Sequence, residues 1–235
     1  MNRSTLWLLL ILSTGIVTST CGGGPADPDP NRFAGEIDAF HDWDSKNAVP
    51  AEPVLFVGSS SIRLWRTHAS FSDLPVVNRG FGGSHIADVT HFADRVVLPY
   101  KPRVIVFYAG DNDIASGKPA HRVFEDYRTF VGIVHAKLPD ARILFLAIKP
   151  SESRWSFWPE TKKANELIRG LSANDKRLFF IDVATPLLRP DGMPDNALFL
   201  KDKLHLNPAG YEVWARTLTP ALRQVLAARR DVERH

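Results

Sequence analysis

The recurrence of short apolar runs between segments of helical periodicity constrains this chain more than any other feature. The first run is Val54-Leu55-Phe56-Val57, closed by Pro53 and Gly58. Four residues are too few for a buried helix but suit a central strand of a parallel sheet covered on both faces. Runs of the same kind follow at Val76-Val77-Asn78, Val104 to Tyr108, Ile143 to Ile148 and Leu178 to Ile181. Between them, residues 86–97, a stretch from Pro119 to about Leu138, a stretch from Glu160 to Ser172 and a final stretch from Pro208 onward carry the spacing of helices. Phe33, Ile37 and Phe40 mark a further amphipathic helix ahead of the first strand, placed against the sheet edge. Strands alternating with helices predict one α/β domain: a doubly wound, flavodoxin-like three-layer sandwich around a five-stranded parallel sheet.

The domain spans residues 33–235, and the amino terminus is different in kind. Arg3 precedes the apolar run Leu6 to Leu12, which is far too short to span a bilayer and reads as a signal peptide over residues 1–20. Cys21 is the only cysteine, so no internal disulfide can form. It is followed by Gly22-Gly23-Gly24 and the PADPDP stretch. A cysteine in that place resembles the lipidated cysteine of bacterial lipoproteins, with residues 21–32 as a flexible tether. Thr18 and Thr20 depart from the residues that such a signal prefers. The expectation is an exported protein anchored through a lipid on Cys21, in the periplasm or at the cell surface, with a soluble secreted protein as the alternative. With 29 basic and 26 acidic side chains and no basic block, nothing points to nucleic acid.

Four loops carry the polar residues that chemistry would need. Ser59-Ser60-Ser61 follows the first strand, Arg79 to Ser84 with three glycines follows the second, and Gly110-Asp111-Asn112-Asp113 follows the third. Asp202-Lys203-Leu204-His205 precedes the last helix. A doubly wound sheet gathers such loops above the carboxyl ends of its strands. Taken singly, each has a plain structural use: a serine caps a helix, a glycine makes a turn, an asparagine bonds its own backbone. Taken together they offer a nucleophile, a base, an orienting carboxylate and oxyanion donors.

In order and spacing the four loops resemble the blocks of the SGNH/GDSL hydrolase superfamily over residues 50–220. The nucleophile block resembles a branch with a Phe-x-Gly-Ser-Ser-Ser run, here Phe56 to Ser61, so that Ser59 stands where the family usually has Asp. The resemblance implies Ser60 as nucleophile, His205 as base and Asp202 as its partner. It also implies an oxyanion hole from the backbone N–H groups of Ser60 and Gly83 and the amide of Asn112, with no cofactor and no metal. Arg154 and Trp155, after Lys149-Pro150-Ser151, are candidate substrate contacts; Trp155 and Trp158 can equally pack their own loop. The implied partner is a small ester, with an acetyl group on a carbohydrate or other polar alcohol favoured, and a lysophospholipid or thioester as the alternative. Two readings from other classes stand beside it. One is a metal-dependent hydrolase using Asp111, Asp113, Asp202 and His205; the other is an exported carbohydrate-binding protein without turnover.

Overall fold

The computed structural model describes residues 25–232. The expected signal segment and Cys21 lie outside the described residues. In chain order the elements are α1 (Ala34–Lys46), β1 (Val54–Gly58), α2 (Ser60–Arg63), α3 (Thr67–Ser70), β2 (Val76–Gly80), α4 (Ile86–His91) and α5 (Ala93–Val96). Then come β3 (Val104–Tyr108), α6 (Asp111–Ala115), α7 (Ala120–Lys137), β4 (Arg142–Leu146), α8 (Trp158–Asn174), β5 (Leu178–Ile181) and α9 (Pro208–Val232). All five expected strands form one parallel sheet in the order β2-β1-β3-β4-β5. The order reverses at β1, whose neighbours are β2 on one side and β3 on the other. This is the switch point at which doubly wound sheets open a crevice.

Strand pleating divides the apolar residues between two layers. Leu55, Val57, Ile105, Phe107, Ile143 and Phe145 face a cluster with Val123, Tyr127, Phe130, Ala164 and Ile168 of α7 and α8. Val54, Phe56, Val106, Tyr108 and Leu144 face the other, with Trp65, Phe71 and the α9 residues Trp214, Leu218 and Leu222. β1 and β3 are buried at every position, as a central strand covered on both faces requires. Among the described residues, no helix is long and apolar enough to cross a membrane.

The structure departs from the sequence expectation at three places. The helix expected over 86–97 is broken at Phe92, which has φ −94° and ψ 13°, so that α4 and α5 are short and separate. The fourth strand begins at Arg142 and stops at Leu146 rather than Ile148. There the side-chain amide of Asn165 takes over, accepting from Ile148 N at 2.8 Å and donating to Ile148 O at 2.9 Å. The loop expected over Gly110 to Asp113 becomes the short helix α6 after Gly110.

Residues 25–32, expected within a free tether, are seated against the domain by charge. Asp27 pairs with Lys118, Arg32 with Asp88, and Asp29 caps the 3₁₀ turn Pro30–Phe33. Phe33 then packs edge-on against Phe81 at 5.0 Å. Along the sheet edge, Arg79 of β2 pairs with Asp44 of α1, which is where the helix was expected to lie.

Candidate active site

Backbone geometry at the end of β1 sets the site. Gly58 has φ +138°, and a Cβ there would lie 1.8 Å from the Tyr108 carbonyl oxygen of β3. Only glycine allows that approach. The chain then turns sharply: Ser59 N donates to the same Tyr108 carbonyl at 2.9 Å, and the Ser59 carbonyl accepts from Ile62 N and Arg63 N. Ser60 therefore begins α2 at the rim of the crevice. Asn78 of β2 fastens the far end of this turn, donating to the carbonyls of Ile62 and Trp65.

The loop bearing Asp202 and His205 reaches Ser60 from the opposite end of the chain. It is a tight excursion closed by the Phe199–Leu206 bridge and by Leu200 N donating to His205 O at 2.8 Å. Lys203 at its tip adopts φ +53°. Asp202 Oδ1 accepts the backbone N–H groups of Leu204 and His205, each at 3.0 Å, which leaves Oδ2 for the imidazole. His205 Nδ1 lies 2.6 Å from Asp202 Oδ2, and His205 Nε2 lies 3.1 Å from Ser60 Oγ. The His205 hydrogen bond and the two backbone donors hold the Asp202 carboxyl down at about 2. It is thus an anion throughout the working range, able to fix the tautomer of the ring and stabilise its cation.

The expected oxyanion donors Gly83 and Asn112 come from the loops after β2 and β3, which a hydrogen bond joins. Gly83 occupies a turn with φ +82° and is open to solvent, while Asn112 projects from α6 and donates from Nδ2 to Ser84 O at 3.0 Å. Among the described residues, neither the Ser60 nor the Gly83 N–H donates to a protein acceptor. Arg154 is turned inward, with Nη2 2.8 Å from Asn112 Oδ1 and Nη1 3.2 Å from Asp111 Oδ2. Trp155 stacks on Trp158 at 6.0 Å and 18°.

Asp111 and Lys149, not paired with each other from the sequence, form a buried ion pair at 3.3 Å beneath this loop. Burial would raise the Asp111 carboxyl, but Lys149 and Arg154 outweigh it and hold the group below its ordinary value. Asp111 follows β3 and Lys149 follows β4, so the pair crosses from one strand end to the next and no local spacing in the sequence signals it. The four metal ligands considered from the sequence are not brought to one point. Asp113 turns away to Lys118 Nζ at 2.9 Å and to Ile86 N, and Asp111 turns to Lys149. Among the described residues one ligand-bearing trio gathers, Asp27, His85 and Asp113, and the Lys118 ammonium already sits against two of its members.

An apolar groove of about 320 Å³ runs behind the two catalytic-type loops. Leu64, Trp65, Leu200, Leu206 and Tyr211 line it, and Leu64 and Leu200 are exposed.

A doubly wound α/β fold with serine, histidine and aspartate in a hydrogen-bonded line at its switch point is the architecture of an acyl-transfer hydrolase. The profile of the GDSL-like lipase/acylhydrolase family matches residues 58–213, and the chain belongs to that family, within the SGNH/GDSL hydrolase superfamily. Among curated proteins, human platelet-activating factor acetylhydrolase IB subunit alpha1 is 29% identical over 192 residues, covering 78% of this chain and 80% of its own. Among solved structures, a GDSL-like lipase from Bacteroides thetaiotaomicron superposes with a TM-score of 0.65 at 20% identity, over 83% of this chain and 98% of its own. An acetylxylan esterase from Geobacillus stearothermophilus gives a TM-score of 0.61 at 14% identity, over 76% and 96%. These structural likenesses carry the fold.

Proposed function

We propose that this protein is a serine esterase that removes a small acyl group, acetyl first among them, from a carbohydrate or other polar alcohol. The observation that carries the reading is the line Ser60 Oγ, His205 Nε2, His205 Nδ1, Asp202 Oδ2, with its 3.1 Å and 2.6 Å contacts. His205 takes the Ser60 proton as Oγ attacks the ester carbonyl, and the carbonyl electrons move onto the oxygen. Ser60 N, Gly83 N and Asn112 Nδ2 are the donors for that oxyanion. The imidazolium then gives its proton to the departing alcohol, leaving an acyl-serine. Water, deprotonated by the same ring, adds to the acyl-serine; the acid leaves and Ser60 regains its proton. Nothing in this cycle calls on a cofactor.

The names of two relatives, platelet-activating factor acetylhydrolase and acetylxylan esterase, both specify acetyl, which supports a small acyl group. They differ on the alcohol. The apolar groove beside Leu64, Leu200 and Leu206 favours a second reading, in which an acetyl ester of an apolar-tailed alcohol is the substrate. Export and a lipid on Cys21 complete the proposal, and palmitate labelling of the wild type but not of Cys21→Ala is the check on them.

The deciding experiment is hydrolysis of p-nitrophenyl esters of increasing acyl length by the wild type and by Ser60→Ala, with a serine-reactive phosphonate beside it. Wild-type turnover falling steeply beyond acetate, with loss of at least about 10³-fold in the mutant, is expected. Equal activity in Ser60→Ala sinks the nucleophile. Long-chain preference moves the reading to lysophospholipids. Acetylated xylose set against an acetyl ester of a long-chain alcohol separates the two alcohols.

A further inference from the structure

Asn112 has to present its amide the right way round. A side-chain amide has a donor end and an acceptor end of nearly the same shape, and only the NH₂ end can serve an oxyanion. Both ends are keyed here. The Ser84 carbonyl can only accept, so it takes Nδ2 at 3.0 Å, and the Arg154 guanidinium can only donate, so it takes Oδ1 at 2.8 Å. Rotating the amide by half a turn would set oxygen against oxygen and donor against donor. Ser84 directly follows Gly83, so the amide is pinned beside the other oxyanion donor. One of its two hydrogens is used and the second is left for the substrate.

Arg154 is itself anchored. Its Nη1 lies 3.2 Å from Asp111 Oδ2, the buried carboxylate that also takes Lys149. Its backbone belongs to a segment fastened to the base-bearing loop: Ser153 N and Oγ both donate to Lys203 O, at 3.3 and 3.1 Å, and Glu152 pairs with Lys203. Lys203 lies between Asp202 and His205. Three consecutive residues therefore tie the oxyanion amide to the turn that carries the base.

Resting on the esterase reading above, we infer that Arg154 is a positioning residue that orients the Asn112 amide for the oxyanion, rather than a contact to the substrate. A residue acting only through Asn112 changes the transition state and not ground-state binding. Arg154→Met, which keeps the apolar stem, is expected to lower kcat on p-nitrophenyl acetate about 10- to 100-fold with KM held within about twofold. Asn112→Ala is expected to lose about 10²- to 10³-fold, and the double mutant no more than Asn112→Ala alone. Arg154→Lys, which can reach one partner but lacks the planar fork, should fall between wild type and Arg154→Met. Thermal unfolding of each variant identifies any that do not fold, and Arg154→Lys carries the test if Arg154→Met is among them. A raised KM with kcat intact, or losses that multiply in the double mutant, would overturn the inference. A readout free of turnover keeps it separate from the esterase reading. The Asn112 side-chain amide protons, assigned by their absence in Asn112→Ala, should shift and exchange faster with water in the Arg154 variants. Unchanged amide resonances overturn the positioning role even where every ester is hydrolysed, and a wild type that hydrolyses none overturns the esterase while the resonances still decide Arg154.

Discussion

At the scale of single residues, Ser59 and Asp202 separate what the site needs from what it tolerates. Ser59 is fully buried where the family usually has Asp, and its hydroxyl finds no partner among the described residues. Its backbone does the work, through Tyr108 O on one side and Ile62 N and Arg63 N on the other. An unpartnered buried hydroxyl contributes little, so Ser59→Ala should keep activity within about threefold and leave stability equal or slightly raised, by urea titration. Asp202 is different: every oxygen is engaged and its negative charge faces the His205 ring at 2.6 Å. Asp202→Asn should lower kcat by roughly 10³-fold. Asp202 stays ionised down to about 2, so its charge is in place at any pH used for assay. The loss is read as kcat on p-nitrophenyl acetate at neutral pH. An unchanged kcat in Asp202→Asn would detach Asp202 from the base.

At the scale of elements, the pairing of β1 with β3 governs where Ser60 stands. β1 and β3 are paired residue by residue from Val54 and Val104 to Gly58 and Tyr108, and the turn bearing Ser60 leaves the ladder at that last pair. Gly58→Ala would force a methyl group to within 1.8 Å of the Tyr108 oxygen in a backbone region unfavourable to L side chains. The two strands would have to part. A loss of about 3 kcal/mol in urea unfolding is expected, together with nearly all esterase activity. Activity retained in a destabilised Gly58→Ala would show that the turn tolerates displacement. The identity of β1 was legible from Pro53, four apolar residues and Gly58. The brevity of α2, a single turn, was not, because Asn78 ends it from another strand. The break of α4 from α5 at Phe92 was hidden likewise by an unbroken apolar periodicity.

At the scale of the whole molecule, a buried charge cluster joins segments far apart in sequence. Lys118, only 2% exposed, contacts Asp113 at 2.9 Å and Asp126 at 2.7 Å and pairs with Asp27 of the amino-terminal segment. Burial pulls the ammonium down, but the three carboxylates outweigh it and hold it above its ordinary value. Burial raises the Asp113 carboxyl, and Lys118 is the strongest of the groups that pull it back down. Lys118→Met should therefore cost about 3–5 kcal/mol at neutral pH, since it leaves the buried Asp113 carboxylate without its ammonium. The sign with pH follows: with its pKa raised, Asp113 takes up a proton as pH falls and the penalty goes, so the gap to wild type should narrow in acid. Urea titrations of both proteins at several pH values measure it. A gap that widens in acid would mean that the carboxylates are not the buried liability.

By itself the sequence determined the sheet and named the loops from which the candidate site is drawn. Five apolar runs with helical segments between them admit one layered solution, because each run must be covered on both faces. Gly58, Gly83, the serine run and the Asp202–His205 spacing are local signals, written in residues a few positions apart. Tertiary structure alone decided the partnerships between distant segments: Arg154 with Asn112, Asp111 with Lys149, Lys118 with Asp27 and Asp126. The sequence offered Arg154 only as a candidate substrate contact, because a lone arginine in a loop carries no mark of where its donors point. Two acceptors from α6, Asn112 Oδ1 and the Asp111 carboxylate, draw it inward. The physical reason is that backbone periodicity is set by neighbours along the chain, whereas charge pairing is set by which carboxylate the fold leaves without water.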